Sequence, residues 1–155
     1  MAQYFLDSSA LVKRYILEDG TPRVVGLVRG SDALAVSRIT KVEVTSTLVR
    51  RSRGGDLDPA TLDRLLEAME REFRTRFEIQ PLNDSTLSRS VKLARSHELR
   101  AADAIQLASA VQCADTIGDQ AALTLVSSDR ELNAAAGREG LIVLDPRDDG
   151  TGAES

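Results

Sequence analysis

Short apolar runs alternate with longer helix-patterned stretches along almost the entire chain, and that alternation limits the fold more than any other feature. Residues 4–6, 33–37, 77–80, 122–126 and 141–144 read as strands. Residues 8–17, 21–30, 40–53, 58–73, 84–97, 101–113 and 130–136 carry apolar positions at helical spacing. The strands are short and nearly all apolar, with little of the in–out alternation of a sheet wetted on one face. This is the pattern of an α/β fold: a five-stranded, mostly parallel sheet sandwiched between helices in three layers. No repeat or linker divides the 155 residues, so residues 1–145 are expected to form one domain. Residues 146–155 are polar and are expected to be a disordered tail. Aromatic residues are only 3% of the chain, so the core must be built from aliphatic side chains.

The residues that are scarce narrow the chemistry. Cys113 is the sole cysteine and His97 the sole histidine. Intramolecular disulfides and Cys/His metal clusters are thereby excluded, and both residues read as structural. A metal here would need oxygen ligands, which suits hard cations such as Mg²⁺ or Mn²⁺. The longest uncharged run, residues 104–114, is about half of the ~20 residues a membrane span requires. The N-terminus lacks a basic region and carries Asp7 where a signal peptide would be apolar, so a cytoplasmic protein is expected. Net charge is −4 with a pI near 5.1, which argues against a broad basic surface for nucleic acid.

Four acids stand at strand exits or helix starts. Asp7 follows the first strand, and Asp129 lies just past the fourth. Glu43 is in the first turn of the helix after the second strand, and Asp103 in the first turn of the Ala-rich helix. In open parallel sheets, sites form at the carboxyl ends of strands. Each acid also has a plain structural reading. Asp7 and Asp129 can cap the helices that follow them. Glu43 completes a capping box with Thr40, and Asp103 complements a helix dipole. Together, such acids would repel one another unless a divalent cation joined them. A cation so held can activate water and neutralise a phosphate.

Four segments resemble the motifs of PIN-domain nucleases. They are Phe5-Leu6-Asp7-Ser8-Ser9-Ala10-Leu11, Ser37-Arg38-Ile39-Thr40-Lys41-Val42-Glu43, Leu99-Arg100-Ala101-Ala102-Asp103-Ala104-Ile105-Gln106-Leu107-Ala108, and Leu125-Val126-Ser127-Ser128-Asp129-Arg130-Glu131-Leu132. In the last, Ser127 stands where Thr is common. The resemblance implies a metal-dependent endoribonuclease with Asp7, Glu43, Asp103 and Asp129 around Mg²⁺ or Mn²⁺. It makes Asp7, Asp103 and Asp129 the direct ligands and has Glu43 either bind through water or help orient the nucleophile. Ser8 and Ser127 then support the ligands, and Thr40 orders the helix of Glu43. Arg100, Lys13 and Arg14 are candidates for phosphate contact. By size the chain is similar to VapC-type toxins of toxin–antitoxin pairs. These are homodimeric ribonucleases silenced by an antitoxin peptide that enters the acidic site. The alternative is a catalytically silent PIN-like module that binds RNA or protein. A haloacid-dehalogenase-type phosphatase would need an acid at Ser9, and a phospho-receiver domain would need a Lys beyond Lys92, the last lysine here.

Overall fold

In the computed structural model, which describes residues 2–148, the chain runs β1 (Gln3–Leu6), α1 (Ser8–Tyr15), α2 (Thr21–Arg29), β2 (Ala33–Ser37), α3 (Thr40–Arg53) and α4 (Pro59–Thr75). It continues through β3 (Glu78–Gln80), α5 (Asp84–His97), α6 (Ala101–Ile117), β4 (Leu123–Val126), α7 (Arg130–Arg138) and β5 (Ile142–Leu144), with a 3-10 turn at Gln120–Ala122. The strand order is β3-β2-β1-β4-β5 and all four pairings are parallel. The α/β sandwich expected from the alternation is therefore the observed architecture.

Successive strand residues point to opposite faces of the sheet, and the sequence supplies apolar residues for both. Phe5, Ala35, Leu123 and Leu125 pack with α5, α6 and α7 in one core. Leu6, Leu34, Val36 and Val126 pack with α1 to α4 in the other. The small side chains Ala104, Ala108, Ala110 and Ala114 are all buried and let α6 lie close against the strands. That helix extends to Ile117, past the expected end at residue 113, and stops at Gly118 with φ +82°. Glycine adopts this left-handed conformation without the Cβ clash that other residues meet there.

Three local readings are corrected. Thr21 followed by Pro22 reads in the sequence as an N-cap with proline at the first helical position, but Thr21 does not cap α2. Gly20 does, at φ +93°, and a Cβ there would come within 3.0 Å of the Pro146 backbone. The Thr21 hydroxyl instead donates to the Ile16 carbonyl at 2.9 Å. The capping box at Thr40 does not form either: Ile39 is the N-cap and no side chain caps α3. Of the tail expected from residue 146, Pro146 is buried against Gly20. Arg147 reaches back to the Ser128 carbonyl at 2.8 Å and to Asp145 at 2.7 Å. Residues 149–155 lie outside the described residues.

Candidate active site

The two strands flanking β1 come from opposite halves of the chain, β2 from the first half and β4 from the second, so the carboxyl end of β1 is where the connections diverge. Asp7 leaves β1 there, with its N–H donating to the Val126 carbonyl at 3.2 Å. Its carboxylate is 2% exposed. It accepts from the Ala10 N–H at 3.0 Å, from Ser9 Oγ at 2.7 and 2.9 Å, and from Ser127 Oγ at 2.9 Å. Asp7 is thus the N-cap of α1 as well as a buried acid at the strand exit. Burial dominates and pushes its pKa up to about 7, against the hydrogen bonds that favour the charged form; Asp129 adds repulsion.

Ser127 connects the β1 and β4 exits. While donating to Asp7, its hydroxyl accepts from the Asp129 N–H at 3.1 Å, and its carbonyl accepts from the Asn133 amide at 2.8 Å. Asp129 caps α7 by accepting from the Leu132 N–H at 3.0 Å. On the α6 side, Asp103 has its pKa raised to about 6, first by burial and then by Asp129 and Glu43, with Arg100 opposing. Glu43 is held by Gln106, one helical turn beyond Asp103. The buried Gln106 amide donates 2.7 Å to Glu43 Oε1 and 3.0 Å to Thr40 Oγ1. Gln106 Oε1 is buried without a partner.

A PIN-domain family model matches residues 4–138. The chain belongs to the PIN-domain family. Among solved structures, PAE2754 from Pyrobaculum aerophilum is similar at 26% identity and TM-score 0.63, covering 92% of this chain and 89% of that one. VapBC2 from Rickettsia felis bound to a promoter DNA fragment is similar at 16% identity and TM-score 0.61, covering 92% and 97%. A toxin–antitoxin complex from Klebsiella pneumoniae is similar at 20% identity and TM-score 0.57, covering 94% and 98%. No curated protein sequence matches the chain.

In this PIN domain, Asp103 is influenced by Asp129 and Glu43, and Asp7 by Asp129, so the four acids share one electrostatic neighbourhood. Among the described residues no three carboxylates converge tightly enough, as placed, to grip one ion. Each of three is turned to a protein donor instead: Asp7 to Ser9 and Ser127, Glu43 to Gln106, Asp129 to Leu132. An all-oxygen donor set in which Asp129 raises the pKa of Asp7, and Asp129 and Glu43 that of Asp103, fits a hard divalent cation.

Several supporting residues differ from the sequence reading. Beside the expected Ser127, the second hydroxyl on Asp7 belongs to Ser9, while Ser8 lines a groove with Glu43. Thr40 is tied to Gln106. Lys13 is buried and paired with Glu18 at 2.8 Å, and Arg14 with Glu72 at 3.0 Å, so both are engaged in ion pairs within the fold. Arg100 is exposed at the N-cap of α6. Neither Ser9 nor Gln106 stood out in the sequence as part of the site. A polar residue one turn after Asp103, on the same side of an Ala-rich helix, was the available signal for Gln106. None of the α-helices is long and apolar enough to cross a membrane among the described residues.

Proposed function

We propose that this PIN domain is a metal-dependent endoribonuclease that acts as the toxin of a toxin–antitoxin pair. The observation that carries the reading is the acid neighbourhood at the β1 exit, where Asp7 and Asp103 hold raised pKa values. Asp7, Asp103 and Asp129 would hold Mg²⁺ or Mn²⁺. When bound, such a cation supplies positive charge to the phosphate and acidifies the water that attacks it. Glu43, oriented by Gln106, positions that water and accepts its proton. Ser9 and Ser127 keep the Asp7 carboxylate in one orientation. Arg100, exposed beside Asp103, offers a charged contact for a phosphate oxygen.

The toxin role and a cognate antitoxin are supported by the likeness to VapBC2 and to the Klebsiella pneumoniae toxin–antitoxin complex; a homodimer and a cytoplasmic location are further parts of the proposal. The test is cleavage of total RNA with Mn²⁺ by wild type, Asp7→Asn and Asp103→Asn, with circular dichroism to show folding. Cleavage by wild type alone is expected. Undiminished cleavage by either variant removes that acid from the mechanism. Metal and RNA binding without cleavage by wild type would favour the silent-module reading.

A further inference from the structure

Beside Glu43, the exposed side of α3 forms a groove of about 300 Å³ lined by Ser8, Val42, Glu43, Ser46, Thr47 and Arg50. Arg50 lies two helical turns along α3 from Glu43. Its Nη1 donates to Ser46 Oγ at 2.8 Å and its Nη2 to Thr47 Oγ1 at 3.4 Å. These hydroxyls fix the guanidinium against the helix while using two of its five N–H donors. Nearby cations are engaged differently. Lys13 pairs with Glu18, Arg14 with Glu72, Lys41 with Glu70, and Arg51 with Glu18 and Asp56. Among the described residues Arg50 pairs with no carboxylate, and no other cation lines this groove.

We infer that this groove is an RNA-backbone subsite in which Arg50 binds a phosphate within about three nucleotides of the scissile one. The inference rests on the ribonuclease reading and deepens it. Seven residues of helix span about 10 Å from Glu43 to Arg50. At about 3.4 Å per stacked nucleotide that is roughly three phosphates, and fewer if the strand is extended. A strand entering the acid cluster along α3 brings its next phosphates past Arg50. A guanidinium with free donors binds phosphate oxygens in a bidentate fork. Ser46 keeps the charge in place before the strand arrives, and Ser8 adds a hydroxyl at the groove wall. Glu43 at the other end repels any anion, and the cation that the acids would hold offsets that repulsion for a phosphate strand running on into the cluster.

The test compares wild type, Arg50→Ala and Arg50→Lys in two assays. Binding of a short labelled single-stranded RNA is read by fluorescence anisotropy in EDTA across roughly 50–200 mM salt. Cleavage kinetics are read with Mn²⁺. Arg50→Ala should weaken binding about 3- to 10-fold and lower the salt-dependence slope by about 0.7, the loss of one phosphate contact on a single strand. KM should rise by a similar factor while kcat holds. Arg50→Lys should retain the slope and recover part of the affinity. The residue is exposed, and thermal melting checks that each variant folds. Unchanged affinity and slope in Arg50→Ala, with wild type binding and cleaving RNA, would overturn the subsite and leave the ribonuclease reading standing. A fall in kcat with KM unchanged would also overturn it. A labelled acidic peptide that wild type binds and Arg50→Ala does not, with RNA affinity equal in both, would overturn the subsite and make the groove a peptide dock. Wild type that neither binds nor cleaves RNA would overturn both readings together.

Discussion

Replacing Asp7 with asparagine should stabilise the metal-free protein while removing its activity, and the size of the gain should depend on pH. The carboxyl of Asp7 keeps its proton to about pH 7 in the fold, against 3.8 for an ordinary Asp. Between those values the unfolded chain releases the proton and the folded one keeps it. Stability from this group is therefore complete below pH 3.8 and is lost as pH rises through 7. A shift of about three units at 1.36 kcal/mol each gives about 4 kcal/mol lost between the acid and alkaline limits. Asparagine does not titrate, so the stability gap between variant and wild type should widen by that amount as pH rises. At roughly 2–4 °C per kcal/mol for a chain of this size, the melting-temperature difference should grow by about 8–16 °C. Thermal melts of both proteins in EDTA from pH 4 to pH 8 measure it. Adding Mg²⁺ at pH 8 should raise the melting temperature of wild type and leave the variant nearly unmoved. A gap that stays constant with pH would refute the argument that burial governs this carboxyl. The comparison uses the change in the gap, so any hydrogen bond lost to the asparagine amide cancels.

Other perturbations follow from neighbouring contacts. Gln106→Leu should lower kcat at least tenfold, because Glu43 and Thr40 lose their shared donor; single-turnover cleavage tests it, and Gln106→Asn should not rescue because its amide is one carbon short. Ser127→Ala should cost about 1–3 kcal/mol in urea unfolding, since it strips a donor from a buried carboxylate and an acceptor from the Asp129 N–H. Mg²⁺ affinity should tighten as pH rises through about 6 and 7, where Asp103 and Asp7 lose their protons; isothermal titration in two buffers of different ionisation heat should record protons released on binding. Arg147→Ala should let the Asp145 pKa rise from about 2, because Arg147 is the main cause of its depression, and NMR titration of that carboxyl reads the change.

What the sequence made legible, and what it did not, divides by range. The sheet was readable because each strand advertises itself locally, and β1, β2 and β4 each fall within about one residue of the expected limits. The four acids were readable as helix-start residues, and Asp7 and Asp129 do cap α1 and α7. The capping box at Thr40 failed because its hydroxyl has a partner 66 residues away in Gln106. Gln106 itself was absorbed into the apolar pattern of α6, since its bonds to α3 leave no mark on neighbouring positions. Ser8 and Ser9 could not be ranked from order alone: the turn of α1 decides which hydroxyl meets Asp7. Lys13 and Arg14 looked like a free basic face until Glu18 and Glu72 came into place beside them.

The Asp7–Ser127 hydrogen bond joins residues 120 positions apart, and β1 pairs with β4 over the same separation. On a ribosome that adds residues from the N-terminus, Ser127 is made 120 residues after Asp7, so this hydrogen bond forms only when β4 and the loop after it have emerged. Over that interval the growing chain carries acids with no assembled site. A fragment ending before β4 should therefore lack activity even with Asp7, Glu43 and Asp103 all present, so the distance between the two ends of this hydrogen bond sets when during translation the protein becomes competent to act.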